Sequence, residues 1–479
     1  MRRFNRVMSS ACLVAIVLSP SAAAAAARMY VGFQDDPSFR FRDTRQSNLN
    51  EAERAGATII RSQVTWARVA TTRPANATDP FDPAYASLAD LDELVRGAQR
   101  RGMEALLTIA GTPRWANGGK GQNVAPTRMR DLTEFALALA SRYSGRYPGY
   151  PYVRFYSVWN EPNLNQFLSP QFDRRGRSVA PATYAKLYRA AYAGIKAGNR
   201  SAVVAIGETS ARGHDRPKPG IIQDSHSPGN FVQLVAKADR RLRFDAWAEH
   251  PYPFRPSQSP RARVRLPNVS LTQLDEFRKL VDKAFRRKNT PIWVTEYSHE
   301  TRPGDPAGIP YSRQAAYARD ALRIARGYSF VPMFVWFVLR DDPSDPWQSG
   351  LLDESGNRKP AFAAFSAMAR LLDARNGIVY LKAGRTSPQV RVSALEFAGL
   401  SGPSVRVGVT YKVIFRGRVV AVGQPELRLP VDGWLRVNIA RFQPRAGRSY
   451  TMTVAANDEN GNKINRTLTL VSVRSTARR

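Results

Sequence analysis

One cysteine, Cys12, and four histidines stand in a chain of 479 residues. A lone cysteine excludes a disulfide-stapled architecture. So few histidines leave no material for a zinc cluster, and no metal or other cofactor is expected. Acids are also scarce: Asp and Glu total 39 against 72 Lys and Arg, a formal net charge of +33. Beyond the N-terminal segment no window offers the ~18 consecutive apolar residues of a membrane helix, so stable membrane insertion is not expected. What the chain does have is core-forming material, with 43% hydrophobic and 10% aromatic residues. Those fractions exclude a disordered polymer and suit a chain of two or three domains.

The first 27 residues read as an export signal. Arg2, Arg3 and Arg6 form a positive region, an apolar stretch runs from Ala11 to Leu18, and an alanine run ends at Ala27. This is the layout of a cleavable secretory peptide, and the expected location is extracellular or cell-wall associated. Cleavage would leave a cysteine-free protein that relies on the size of its core.

From Met29 short β-branched runs alternate with helical patterns. Strands are predicted at Met29–Gln34, Thr58–Val64, Ala105–Ala110, Val153–Asn160, Ala202–Gly207, Phe244–Glu249, Ile292–Glu296 and Met333–Val338. Between them, apolar residues at three- and four-residue spacing mark helices, as in Tyr184, Leu187, Tyr188, Ala191, Tyr192 and Ile195. Ser270 to Gln273 reads as a capping box for the helix that follows. Eight strands with intervening helices predict an α/β fold, a (β/α)8 barrel over residues 28–375. An open doubly wound sheet fits less well, because no glycine-rich phosphate fingerprint follows the first strand. After about residue 376 the helical stripes stop, and short alternating strands are separated by Gly, Pro and Asn. Residues 376–479 are therefore expected to form a small all-β sandwich of immunoglobulin-like type.

Barrel enzymes work where strands end. The fourth strand runs into Trp159-Asn160-Glu161-Pro162-Asn163, and the seventh into Thr295-Glu296-Tyr297. A carboxylate closing a buried strand is costly unless it is paired or used. Strands four and seven face each other across a closed barrel, so the two glutamates can approach to the ~5–5.5 Å that double displacement at a sugar carbon requires.

Here the chain resembles a known group. The Trp-Asn-Glu-Pro-Asn run with a second glutamate closing strand seven is similar to clan A of the retaining glycoside hydrolases, nearest to families 39 and 5. The resemblance covers roughly Met29 to Ala369 and implies roles position by position. Glu161 would be the general acid/base and Glu296 the nucleophile. Asn160 would bond the sugar 2-hydroxyl, Arg61 would steady the nucleophile, and His250 and Tyr252 would close strand six beside it. Trp336 would form the floor under the sugar, with Trp115 a further substrate contact. Trp66, Trp159, Trp247 and Trp293 are expected to pack in the core, while Glu208 and Glu249 are expected to stand behind the site.

The expected substrate is a β-linked polysaccharide or oligosaccharide, and the expected state is a monomer. A transglycosidase using the same intermediate, or a non-catalytic wall-binding barrel, are the alternatives. The positive field would draw anionic polymers, yet 60 of the 72 basic residues are arginine, a skew that composition bias also explains. No basic stripe interleaved with aromatics points to specific nucleic-acid readout.

Overall fold

The computed structural model describes residues 29–41, 43–218, 224–372, 377–394, 397, 405–430 and 433–473. The segment expected to be an export signal, residues 1–27, lies outside the described residues. Eight parallel strands close into a barrel: β1 (Tyr30–Gln34), β2 (Ile59–Thr65), β3 (Glu104–Ala110), β4 (Phe155–Val158), β5 (Val203–Ser210), β6 (Ala246–His250), β7 (Ile292–Tyr297) and β8 (Met333–Phe337). β8 returns to pair with β1, with Tyr30 opposite Met333 and Gln34 opposite Phe337.

Strand alternation sorts the side chains into two layers. Ile59, Leu106, Phe155, Ala205, Ala246, Trp293, Met333 and Val335 fill the barrel interior. The alternate positions face the helices in a separate and larger core, to which Trp66, Trp159 and Trp247 belong. All four tryptophans expected to pack are buried. The helix Ala180–Gly198 buries Tyr184, Leu187, Tyr188, Ala191 and Ile195 against the barrel, and Tyr192 is half-buried at its margin. Among the described residues no helix is long and apolar enough to cross a membrane.

One local expectation fails. The Ser270 side chain caps no backbone amide. Its hydroxyl instead donates to Gln273 Oε1 (2.8 Å), while Gln273 accepts from Val264 N (2.8 Å) and donates to Val264 O (3.0 Å). The loop before the helix offered the glutamine better backbone partners than the helix terminus did.

The last barrel helix, Pro360–Leu372, is followed by β9 (Gly377–Lys382), and the expected domain boundary falls in residues 373–376, outside the described residues. β10 (Gln389–Ser393) pairs with β14 (Trp434–Asn438). The larger sheet runs β12 (Arg418–Gly423), β11 (Arg406–Phe415), β15 (Ser449–Asp458), β16 (Lys463–Val473) and β9, with β13 (Glu426–Arg428) also on β11. The two sheets share one apolar core that includes Val390, Leu435, Val409, Met452 and Leu470. β13 is three residues long, too short for alternation to mark it in the sequence.

Candidate active site

At the C-terminal ends of the strands the apolar interior gives way to a polar layer. Arg61 from β2 sits at its centre with no solvent exposure. Its Nε donates to Thr108 Oγ1 (2.9 Å), Nη1 to Glu296 Oε1 (2.5 Å) and to Gln34, and Nη2 to Glu208 Oε2 (3.1 Å) and Asn160 Oδ1 (3.3 Å). One planar guanidinium thus fixes side chains from five strands or their loops, a task suited to the arginine fork and beyond a lysine point charge.

β5 ends in a local irregularity that places a third carboxylate in this layer. The register slips between Gly207 and Thr209, as in a β-bulge. Gly207 has φ +106°, and a Cβ there would lie 2.5 Å from Trp247 Nε1, so only glycine fits. Glu208 follows with φ 52° and is fully buried. Its Oε2 accepts from Arg61, from His250 Nε2 (2.7 Å) and from Thr295 Oγ1 (2.6 Å). Its backbone carbonyl accepts from Glu161 N (2.8 Å), which ties the β5 end to the loop after β4. Burial pushes the Glu208 carboxyl up, but Arg61 and His250 outweigh it and bring the value down to about 2.

His250 closes β6 and links three carboxylates. Nε2 faces Glu208, while Nδ1 lies 3.1 Å from Glu161 Oε1 and 3.6 Å from Glu296 Oε2. Burial disfavours the imidazolium, yet Glu296, Glu161 and Glu208 together raise it to about 10, so His250 is a cation near neutrality. The two Nδ1 distances limit the separation of those Glu161 and Glu296 oxygens to about 6.7 Å.

Tyr252 donates to Glu296 Oε2 (3.0 Å), with its phenol held well above its ordinary value by burial and by the Glu296 charge. Its ring lies parallel to Tyr297 (9° between planes) and edge-on to Trp347 (centroids 5.2 Å apart). Asn163 secures the loop after β4 by donating to Ser210 O (3.1 Å) and His226 O (2.9 Å) and accepting from Ser210 N (2.8 Å). Glu249 points away into the helix layer, where it accepts from Thr209 Oγ1 and burial keeps it well above the usual carboxylate range.

Above this layer opens a cleft of about 750 Å³. Asn160, Glu161, Tyr252 and Glu296 reach it, while Arg61 and His250 support them from below. Its aromatic walls are Phe167, Phe254, Phe337 and Trp347. The ionisable side chains on its lining are Glu161, Glu296, Arg212 and His214, together with Tyr252, so the chain's positive excess is not concentrated there.

Two predicted substrate contacts are misplaced. Trp336 is fully buried, donates Nε1 to Ser349 O (2.9 Å) and packs against Phe365 and Tyr297. Met333 and Val335 occupy the inward positions of β8, so alternation turns Trp336 outward and Phe337 toward the cleft. Trp115 lies apart from the cleft under Arg73, whose guanidinium is 4.4 Å from its ring, and donates Nε1 to Ala70 O (2.8 Å). The aromatic that does line the cleft near Tyr252 is Trp347, in the loop after β8, with Nε1 bonded to Ser298 Oγ (3.1 Å).

A closed parallel barrel with paired glutamates at the ends of β4 and β7 defines a glycoside hydrolase of the clan that the sequence resembled. The Cellulase family, glycosyl hydrolase family 5, matches residues 31–336. The chain belongs to that family. No curated protein sequence matches it.

Solved structures show the same fold. A family 39 glycoside hydrolase from Bacteroides cellulosilyticus aligns with TM-score 0.52 at 17% identity, covering 87% of this chain and 80% of that one. A GH5_18 protein from Streptomyces cattleya, in complex with GlcNAc, aligns with TM-score 0.52 at 15% identity, covering 75% and 85%. A glucosidase from Croceicoccus marinus aligns with TM-score 0.51 at 14% identity, covering 87% and 94%.

Proposed function

We propose that this protein is a secreted retaining glycosidase that cleaves a β-linked glycan by double displacement. Glu296 is the nucleophile and Glu161 the acid/base. The observation that carries the reading is the placement of both glutamates on the same edge of one imidazolium, His250 Nδ1, with Arg61 and Tyr252 bonded to Glu296 and not to Glu161. The resulting limit of about 6.7 Å suits a direct attack better than the ~6.5–9.5 Å of sites that hold a water between the carboxyls.

The charge arrangement fits each stage of that reaction. Before attack, Arg61 and His250 carry two positive charges, and Glu208 and Glu296 two negative ones, with the proton on Glu161. In the first step Glu296 bonds to the anomeric carbon as the glycosidic bond breaks, and the Glu161 proton passes to the leaving oxygen. Glu296 becomes a neutral ester and Glu161 an anion. The two cations again face two anions, Glu208 and Glu161. His250 Nδ1, bonded to Glu161 Oε1 and 3.6 Å from Glu296 Oε2, faces both carboxyls, so the charge passes from one to the other with little reorganisation of the buried cations. Water, deprotonated by Glu161, then releases the sugar and restores the first state.

Glu208 acts in this scheme as a positioning residue. It is the anion that does not change, and it keeps His250 a cation throughout. Asn160, whose Oδ1 is taken by Arg61, has its Nδ2 group for the sugar. The aromatic cleft walls supply stacking faces for sugar rings. Export is supported by the n-region arginines and apolar stretch of residues 1–27.

The test is azide rescue of Glu161→Ala on activated aryl β-glycosides. A β-glycosyl azide is the expected product, since azide would replace the sugar on the face that Glu161 serves. An α-azide, or no rescue with activity near wild type, contradicts the assignment.

A further inference from the structure

The sandwich confines its described acids to one end of the strand axis, where Arg406, Arg428 and Lys463 also lie. At one end of the larger sheet Val407 pairs with Asp458 and Gly408 with Glu426. The described acids of this domain, Glu426, Asp458 and Glu459, all lie there. At the other end Lys382 pairs with Val473, Ser449 with Val471, and Ile414 with Thr451. The loops at that end carry Lys382 and Arg385, Arg416 and Arg418, and Arg445 and Arg448, all exposed and with no acid among the described residues. None of the six forms an ion pair among the described residues.

These loops form one surface. Gly384 N donates to Pro444 O (2.9 Å), Ser387 N to Phe442 O (2.9 Å) and Gly447 N to Ser472 O (2.9 Å). The Arg416 and Arg448 guanidiniums lie 5.5 and 5.9 Å from the centroid of the same ring, Phe415. That ring in turn packs on Tyr450 (5.2 Å), which packs on Phe442 (5.0 Å). Arginines from two loops are thus held beside one aromatic platform. A composition bias toward arginine would add charge throughout the domain but would not place the described acids at one end and leave the other with none among the described residues.

We infer that this end of the sandwich is a binding surface for an acidic polysaccharide, a glycan carrying repeated uronate carboxylates. The inference rests on the reading of the barrel as a glycan-cleaving enzyme, which makes a glycan the polyanion this chain meets. Arginine forks pair with carboxylates, and Phe415 holds two of them side by side. The cleft itself is not basic, so the surface would retain the enzyme on the polymer without choosing the bond that is cut.

The experiment uses the full chain with Glu296→Gln, so that no probe is degraded, and measures binding to polygalacturonate by affinity electrophoresis. The variant Arg416→Gln/Arg418→Gln/Arg445→Gln/Arg448→Gln should bind at least ~10-fold more weakly at low salt. A control with the same charge loss on the barrel, Arg174→Gln/Arg175→Gln/Arg240→Gln/Arg241→Gln, should change binding less than about twofold, and wild-type binding should weaken as salt screens the contacts. Thermal melting checks that both variants fold. Equal losses in the two variants would reduce the effect to net charge and overturn the inference. So would duplex DNA binding tighter than polygalacturonate with the same dependence on the four arginines. Turnover of an aryl β-glycoside, measured separately with Glu296 intact, should be unchanged in the sandwich variant. Its absence in the wild-type chain would defeat the enzyme reading, whereas lost selectivity with intact turnover would defeat the surface alone.

Discussion

His250 Nε2 donates to Glu208 Oε2 across 2.7 Å, and neither side chain is exposed to solvent. The bond fixes the ring so that Nδ1, at its opposite edge, faces Glu161 and Glu296. A carboxylate no substrate can touch therefore governs the group between the two that substrate meets.

Replacing Glu208 by Gln keeps the shape and removes the charge. The imidazolium then loses one of the three carboxyls that raise it to about 10, so it deprotonates at lower pH. The alkaline limb of the kcat/KM profile should move down in pH. At the optimum kcat should fall ~10²-fold, the lower range for a group assisting proton transfer, with KM changed far less. An alkaline limb identical to wild type would make Glu208 purely structural.

The same pair sets a pH window for stability. Glu208 is depressed from 4.5 to about 2, so its contribution is present above its unfolded value and lost as pH falls through about 2. His250 is raised from 6.5 to about 10, so its contribution is complete below 6.5 and lost as pH rises through about 10. Melting temperatures of wild type and Glu208→Gln should therefore differ most between about pH 5 and 6.5 and converge toward both extremes. A difference independent of pH would show that the charge pair is not its source.

Arg61→Lys should be far from conservative. A lysine cannot reach Thr108, Gln34, Glu296, Glu208 and Asn160 at once, and it leaves buried acceptors unpaired. A destabilisation of ~3–5 kcal/mol is expected, the cost of breaking a buried ion pair, together with loss of turnover. Denaturant unfolding measures the first, and near-wild-type stability would contradict the hub role of the guanidinium.

The two tryptophans after and within β8 should separate cleanly. Trp336→Ala removes a fully buried ring and should cost ~3–5 kcal/mol of stability. Trp347→Ala should lower kcat/KM on oligosaccharides while the melting temperature moves little. A Trp336 variant that binds substrate poorly but melts normally would restore the sequence-based assignment.

That pair also shows where the sequence was legible. All eight barrel strands could be placed because each is a short apolar run bounded by turns, and Glu161 and Glu296 stood out as charges ending such runs. Arg61, Asn160, His250 and Tyr252 entered through the resemblance, and the fold brings all of them to the strand ends. The inward or outward sense of Trp336 was available from the parity of Met333, Val335 and Phe337, but recognition of a motif concealed it. Trp347 sits in an irregular loop where no periodicity assigns direction. Glu208 depends on a one-residue slip at Gly207, and a slip of one residue reverses the side to which every later side chain points. No residue pattern in β5 announces it except a glycine before a charge.

The most direct test of the account is covalent trapping. The aryl β-glycoside that the protein hydrolyses fastest is prepared as its 2-deoxy-2-fluoro dinitrophenyl analogue, which slows release of a glycosyl-enzyme more than its formation. Intact mass should rise by one fluorosugar, and peptide mapping should place it on Glu296. Label on Glu161 or Glu208, or no label together with an α-configured first product from the parent glycoside, would contradict double displacement at Glu296.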